Sequence, residues 1–102
     1  MPAAFLASWD EDAAIALAAS LGEAGWLVAL EHGDALVAWR RISDRTPDVV
    51  VVDLRTRPAH GHELLRMLAA RKTTRGIPVV RLADDTDLVA AVSDAVKPTD
   101  HS

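Results

Sequence analysis

The sequence contains no cysteine, so disulfide bonds and thiolate-bound metal sites are excluded. It also lacks an apolar run long enough to cross a bilayer, and it does not open on the basic and then apolar pattern of a secretion signal. No internal repeat and no low-complexity segment is present. These absences predict a cytoplasmic protein that makes no contact with a membrane.

Positive charge is scarce as well, because 11 Lys and Arg stand against 15 Asp and Glu and leave a net charge of −4. Nucleic-acid binding requires a basic surface, so we expect no nucleic-acid partner. Half of the 102 residues are hydrophobic, which is enough for one domain with its own core. We predict that this domain covers residues 1–97 and that residues 98–102 form a polar tail.

Short apolar runs alternate with segments of helical periodicity along the chain. Strands are predicted at residues 3–8, 26–30, 48–54 and 79–82, and helices at residues 13–24, 35–44, 62–72 and 87–96. Alternating strands and helices predict an α/β fold, in which a doubly wound parallel sheet is covered by helices on both faces. Ligands bind such sheets at the carboxyl ends of the strands.

The third predicted strand ends in an aspartate. Residues 48–54 read DVVVVDL, and four consecutive valines are typical of a central parallel strand that is covered on both faces. Charged residues are rarely buried without a reason. Asp53 is therefore the focal candidate for function, and its alternative role is to cap the loop that follows the strand.

Other residues with chemical potential have simpler explanations. His60 and His62 flank a glycine but have no cysteine or third ligand beside them, so we interpret them as loop and helix-start residues. Trp9, Trp26 and Trp39 are expected to pack rather than to bind a ligand. No phosphate-binding loop and no nucleophile–base pair is visible, so we expect no enzyme activity.

Three segments together resemble the receiver domains of two-component response regulators. Residues 47–55 (PDVVVVDLR) resemble the family's third strand, residues 61–65 (GHELL) the opening of its third helix, and residues 74–80 (TRGIPVV) its fourth strand. Each motif is degenerate, but the distances along the chain from Asp53 to Gly25, Gly61 and Ala83 all agree with the family's register. The resemblance is good over residues 3–83 and implies a flavodoxin-like sheet of about four to five strands with a reduced C-terminal end.

The resemblance implies a phosphorylation site centred on Asp53. In the family a histidine kinase supplies the phosphoryl group to an aspartate, further carboxylates hold Mg²⁺, a lysine stabilises the charge and a hydroxyl binds the phosphate. Asp53 is then the phospho-acceptor candidate. Asp10 and Asp53 are the metal-ligand candidates, and Ala83 and Lys97 stand at or near the phosphate-binding positions.

Several of these positions carry an unsuitable residue. The family's paired acids fall on Ser8 and Trp9, neither of which has a carboxylate, and Asp10 comes one residue late, where it can instead cap a helix. Ala83 has lost the hydroxyl, and bound Mg²⁺ is therefore doubtful. Lys97 lies closer to Asp53 than the family's lysine does, so it is either that lysine after a deletion or a helix C-terminal lysine.

The sequence therefore predicts an atypical, C-terminally shortened receiver that acts through a protein partner, with or without phosphorylation of Asp53. A histidine kinase or an effector domain is the expected partner, and a homodimer is a further option. Two alternatives stay open. One is an interaction or dimerisation module unrelated to phosphorelay, and the other is an anti-sigma-antagonist-like domain, although residues 59–62 (AHGH) lack the serine of that family's phosphosite.

Overall fold

The structure, a computed structural model, describes residues 2–96. Its elements in chain order are β1 (Ala3–Ala7), α1 (Glu11–Glu23), β2 (Leu27–Glu31), α2 (Ala35–Asp44), β3 (Val49–Asp53), α3 (Pro58–Ala70), β4 (Val79–Leu82) and α4 (Leu88–Val96). All eight predicted elements are present, most of them displaced by only one or two residues at their ends. Lys97 and the predicted tail lie outside the described residues.

The four strands form one parallel sheet in the order β2-β1-β3-β4. The chain adds β2 on one side of β1 and then adds β3 and β4 on the other side. The winding direction therefore reverses between β1 and β3, and the two strands diverge into their loops at this point. In doubly wound sheets the binding crevice lies beyond the carboxyl ends of these two strands.

The valines of β3 feed two separate cores because successive side chains of a strand point to opposite faces. Val49 and Val51 belong to the α1/α4 core, and Val50 and Val52 to the α2/α3 core. All four side chains are fully buried, as the prediction of a central strand required. The other buried residues of the α1/α4 core are Ala4, Leu6, Leu21, Trp26, Val80, Leu82, Leu88 and Val92. Those of the α2/α3 core are Phe5, Ala7, Trp9, Ala35, Ala38, Ile42, Leu64 and Leu68.

The last described helix lies on the same face of the sheet as α1. Leu88 and Val92 of α4 pack into the core that contains Leu21 of α1, and α4 also packs against β3 and β4. Right-handed crossovers place α2 and α3 together on the other face, and the same rule would place there any helix that led to a fifth strand beyond β4. Because α4 covers the α1 face of the sheet, it does not occupy the position of a helix that connects β4 to a fifth strand.

The third helix begins earlier than predicted. We expected a loop up to Gly61 and a helix from His62, but α3 starts at Pro58. Proline suits the first turn of a helix because its fixed φ is helical and its missing N–H has no partner there in any case. Gly61 is therefore inside the first turn, where it is buried against the end of β3.

The first helix begins directly after the carboxyl end of β1. Asp10 is its N-cap, and the Asp10 carboxylate accepts a hydrogen bond from the backbone N–H of Ala13 at 2.9 Å. Gly25 ends the turn that follows α1 with a φ of 99°, a conformation that favours glycine. None of the helices in residues 2–96 has the length and apolarity needed to cross a membrane.

Candidate functional site

Asp53 and Ser8 meet in the crevice at the carboxyl edge of the sheet. Asp53 is the last residue of β3, and Ser8 directly follows β1, the neighbouring strand. The backbone N–H of Ser8 donates to the carbonyl of Glu31 in β2 at 3.1 Å, which holds the end of β1 in place. Both side chains are fully buried, so parallel pairing of β1 and β3 brings two polar groups together inside the protein.

Both carboxylate oxygens of Asp53 already have hydrogen-bond donors. Ser8 Oγ donates to Oδ2 at 2.8 Å, and Arg55 Nη2 donates to the same oxygen at 3.2 Å. Arg55 Nε and the Arg55 backbone N–H donate to Oδ1 at 3.0 and 2.9 Å. The guanidinium thus binds the carboxylate through two charge-assisted hydrogen bonds, in a bidentate manner.

This arrangement keeps Asp53 ionised. Burial alone raises the pKa of the carboxyl group, but the hydrogen bonds from Arg55 and Ser8 outweigh it and leave the pKa of Asp53 below its ordinary value. The hydrogen bond to Asp53 likewise raises the pKa of Arg55, and the charge of Asp84 adds to this effect. At neutral pH the site is therefore a closed ion pair, partly shielded from water.

Trp9 occupies one of the two positions at which an acid was expected, and it is part of the hydrophobic core. Only 5 % of its surface is exposed, and it belongs to the α2/α3 core. Its ring lies 5.6 Å from the ring of His60, between centroids. His60 therefore serves as a packing partner. The expectation that Trp9 and Trp26 pack inside the protein is confirmed, since both are buried.

The two residues proposed as metal ligands have different partners. Asp10 is exposed and caps α1, whereas Asp53 is buried and paired with Arg55. Among residues 2–96 no group of three or more acidic, histidine or cysteine side chains gathers into a metal site. Mg²⁺ is usually bound by one or two carboxylates and several waters, and the guanidinium that is paired with Asp53 repels a cation. This set of side chains does not fit Mg²⁺.

The loop after β4 lies next to Asp53 but has no side-chain hydroxyl at position 83. Leu82 is the register partner of Asp53, so Ala83 is the first residue beyond the sheet edge. The backbone N–H of Ala83 donates to Thr86 Oγ1 at 3.0 Å. The nearest hydroxyl along this loop thus stabilises the turn itself.

Sequence reasoning missed the role of Arg55 and the hydrogen bond from Ser8. An aspartate followed two residues later by a donor is the pattern of an Asx-turn, and this signal could have indicated the backbone bond from Arg55 to Asp53. Ser8 was identified only as the residue in place of an acid. Its contact with Asp53 depends on the pairing of β1 with β3, which lie 45 residues apart at this point.

Comparison with solved structures places this fold among known signalling domains. The receiver domain of HemR from Leptospira biflexa superimposes with a TM-score of 0.76 at 16% identity, covering 100% of this chain and 99% of that one. A sensor protein from Polaromonas sp. JS666 gives a TM-score of 0.73 at 22% identity, over 94% of this chain and 78% of that one. The N-terminal domain of a response regulator receiver protein from Methanoculleus marisnigri JR1 gives 0.73 at 20% identity, over 97% and 86%.

These likenesses establish the fold: the chain has the flavodoxin-like architecture of response-regulator receiver domains. No protein-family model matches the sequence, and no curated protein matches it significantly. The agreement is therefore one of three-dimensional structure at low sequence identity.

Proposed function

We propose that the chain is an atypical receiver domain that transmits signals by binding a protein partner, and that Asp53 serves as a buried ion-pair residue instead of a phospho-acceptor. The observation that carries this proposal is the occupation of both Asp53 oxygens by Arg55 and Ser8 in a fully buried position. The receiver fold and the position of Asp53 at its binding crevice support the kinship with the family.

Phosphorylation of Asp53 would require a free carboxylate oxygen in line with the incoming phosphoryl group. Here the reaction would first have to break the bidentate contact with Arg55, whose bonds to Asp53 span 3.0 to 3.2 Å. It would also need neutralisation of the phosphoryl oxygens, and the acid positions that would hold a cation carry Ser8 and Trp9. Both requirements favour a carboxylate that does not react.

Arg55 supports a structural role for Asp53 in a second way. A guanidinium stays protonated in proteins and neutralises the buried carboxylate permanently. The guanidinium cannot accept a proton, and the lowered pKa of Asp53 makes its carboxylate a weak base, so the pair is poorly suited to activate a nucleophile. We therefore propose binding, not catalysis, as the activity of this domain.

The fold supports one class of partner. Solved structures with this architecture come from a sensor protein and from a response regulator receiver protein. We propose a histidine kinase or an effector domain as the binding partner.

A phosphorylation-dependent receiver is the second candidate, and one observation favours it. The Arg55 side chain is 31% exposed, whereas that of Asp53 is fully buried. Arg55 therefore has a route to swing into solvent, which would uncover the carboxylate from one side.

Acetyl phosphate in the presence of Mg²⁺ distinguishes the two candidates. We expect the intact mass of the protein to stay unchanged, because Asp53 is neither free nor close to a cation site. The Arg55→Met variant, which removes the guanidinium, shows whether Arg55 alone protects the carboxylate, and Arg57→Met serves as its matched control. Addition of one phosphoryl group to the native protein, located at Asp53 by peptide mapping, would contradict the proposal and establish the second candidate.

A further inference from the structure

One flank of α3 has no neighbouring helix among the described residues. His62, Leu65, Arg66 and Ala69 follow one another at intervals of three, one and three residues, so they form a stripe along one side of the helix. Leu65 is half-buried and the other three are exposed. The opposite flank of α3 packs against α2. The stripe is therefore a side of α3 available for contact.

The adjoining face of β4 is also open. Val80 and Leu82 point into the α1/α4 core, so Val79 and Arg81 point to the α2/α3 side of the sheet. The crossover rule would place a following helix on that side, but α4 packs against β4 from the other one. Arg81 is exposed as a result. The position beside α3 and above β4 is left as a groove of about 500 Å³, lined by His62, Leu65, Arg66, Ala69 and Arg81.

The side chains of this groove define the chemistry of an occupant. Leu65 and Ala69 provide an apolar floor, while Arg66 and Arg81 provide two positive charges and His62 a further nitrogen donor. No acidic residue is part of this lining within the described chain, although the whole protein has a net charge of −4. The groove is thus a basic, partly apolar patch on an acidic protein.

We propose that this groove, which we call the α3–β4 groove, binds an acidic amphipathic helix of a partner protein. A helix fits because the crossover rule places a helix beside α3, at the position that α4 does not occupy. Helices pack side by side at 8–10 Å through stripes such as the one on α3. The stripe spans roughly 10 Å along the axis, so two to three turns of a partner helix cover it. Leucines of that helix contact Leu65 and Ala69, and its acidic residues pair with Arg66 and Arg81.

The other edge of the sheet carries a groove of about 610 Å³ beside β2 and α2, but its lining mixes the acidic Asp44 with Arg41 and Arg45. At β2, Arg41 Nη1 donates to the backbone carbonyl of Leu30 at 2.7 Å and pairs with Glu31 at 3.3 Å. Charged groups placed over an edge in this way prevent further strands from pairing with it. The lining of the α3–β4 groove contains no acidic residue, and this difference in charge favours it as the docking site of an acidic helix.

A synthetic helical peptide tests the proposal directly. The probe has about four turns, with leucines at helical spacing on one face and glutamates on both sides of that face. Amide chemical shifts of the ¹⁵N-labelled protein identify the bound surface, and fluorescence anisotropy of a labelled peptide gives the affinity. We expect the shifts to concentrate on residues 62–69 and 79–82.

Charge reversal supplies the matched comparison. Arg66→Glu and Arg81→Glu should each weaken peptide binding by roughly tenfold, because each places a negative charge against an acidic ligand. Arg40→Glu makes the same change of charge at an exposed position on α2 and should leave the affinity within about twofold. Circular dichroism checks that each variant keeps its fold.

Four outcomes would overturn the proposal. These are shifts centred away from the α3–β4 groove, equal weakening by Arg40→Glu, equal binding of a peptide in which lysines replace the glutamates, and displacement of the peptide by short duplex DNA. The inference goes beyond the proposed function and does not depend on Asp53. Phosphorylation of Asp53 in the acetyl phosphate experiment would refute the proposed function without affecting this result.

Discussion

Arg55 neutralises Asp53 because the two residues are close along the chain. It lies two residues after the aspartate, so its backbone N–H and its guanidinium both reach the carboxylate. Ser8 completes the contact from the neighbouring strand at 2.8 Å. A charge buried at the end of β3 is tolerated because the polar groups around it satisfy its oxygens.

Arg55→Met should destabilise the protein and raise the pKa of Asp53. The substitution leaves the carboxylate buried with the Ser8 hydroxyl and one backbone N–H, and an under-satisfied buried group costs about 1–3 kcal/mol. Urea unfolding at pH 7 measures the loss of stability, and ¹³C NMR of the Asp53 carboxyl carbon measures the pKa. Arg57→Met, at the N-cap of α3 where no side-chain cap bond forms, is the control and should change neither quantity.

The loss of stability caused by Arg55→Met should become smaller as the pH falls. The pKa of Asp53 is lowered in the folded protein from its ordinary value of 3.8. Its contribution to stability is therefore present above about pH 4 and is lost as the pH falls through the lowered pKa. The free energies of unfolding of the variant and the native protein should therefore differ less near pH 3 than at neutral pH. An equal difference at both pH values would mean that packing, and not the ion pair, explains the loss.

Individual residues of the site were only partly predictable. Asp53 was identified because a carboxylate ends a run of four valines, and the resemblance gave Ser8 its place next to the site. The role of Arg55 was not identified, because arginines in loops are usually solvated and nothing in the local pattern requires this one to fold back. A side chain's partner depends on rotamer and burial, which a linear sequence does not contain.

At the scale of elements, the junction between β3 and α3 is the tightest part of the site. A Cβ atom on Gly61 would lie 3.2 Å from the carbonyl oxygen of Asp53 and 3.2 Å from a methyl group of Val52, and would collide with the side chain of Leu54. The absence of a side chain thus lets the first turn of α3 approach the strand that carries Asp53.

Gly61→Ala should destabilise the domain, by about 1–3 kcal/mol, because the backbone oxygen of Asp53 cannot move without disturbing β3. Gly22→Ala is the matched control, since a Cβ there meets nothing within 4 Å. Alanine in a helix is favoured over glycine, so the control should gain stability by up to about 1 kcal/mol. Thermal unfolding of the two variants should therefore shift in opposite directions, and a stabilised Gly61→Ala protein would show that the junction is loose.

The order of strands and helices could be predicted well, but the start of α3 could not. Alternating apolar runs and helical periodicity identify all eight elements because burial imposes these two periods. Pro58 and Gly61 are turn-forming residues in most contexts and so indicated a loop. Here Pro58 occupies the first turn of the helix and Gly61 a close contact, and both roles depend on packing against β3.

At the scale of the whole molecule, α4 determines which surfaces are free. Leu88 and Val92 join the core of α1, so two helices cover each face of a four-stranded sheet within residues 2–96. The resemblance implied a reduced C-terminal end, and residues 84–96 do not hold both a helix and a full fifth strand. The sequence did not indicate which face of the sheet α4 covers, because the apolar stripe of Leu88, Val89 and Val92 could pack against either face.

We propose that Asp53 is held by Arg55 and Ser8 and binds neither Mg²⁺ nor a phosphoryl group. The most direct measurement is the ¹H–¹⁵N spectrum of the native protein during titration with Mg²⁺ and beryllium trifluoride, a stable mimic of the phosphoryl group. We expect the amide signals of Ser8, Asp53, Arg55 and Ala83 to stay in place throughout the titration. Saturable shifts of these four signals would show that the carboxylate is released from Arg55 and is free to bind the cation or the phosphoryl mimic.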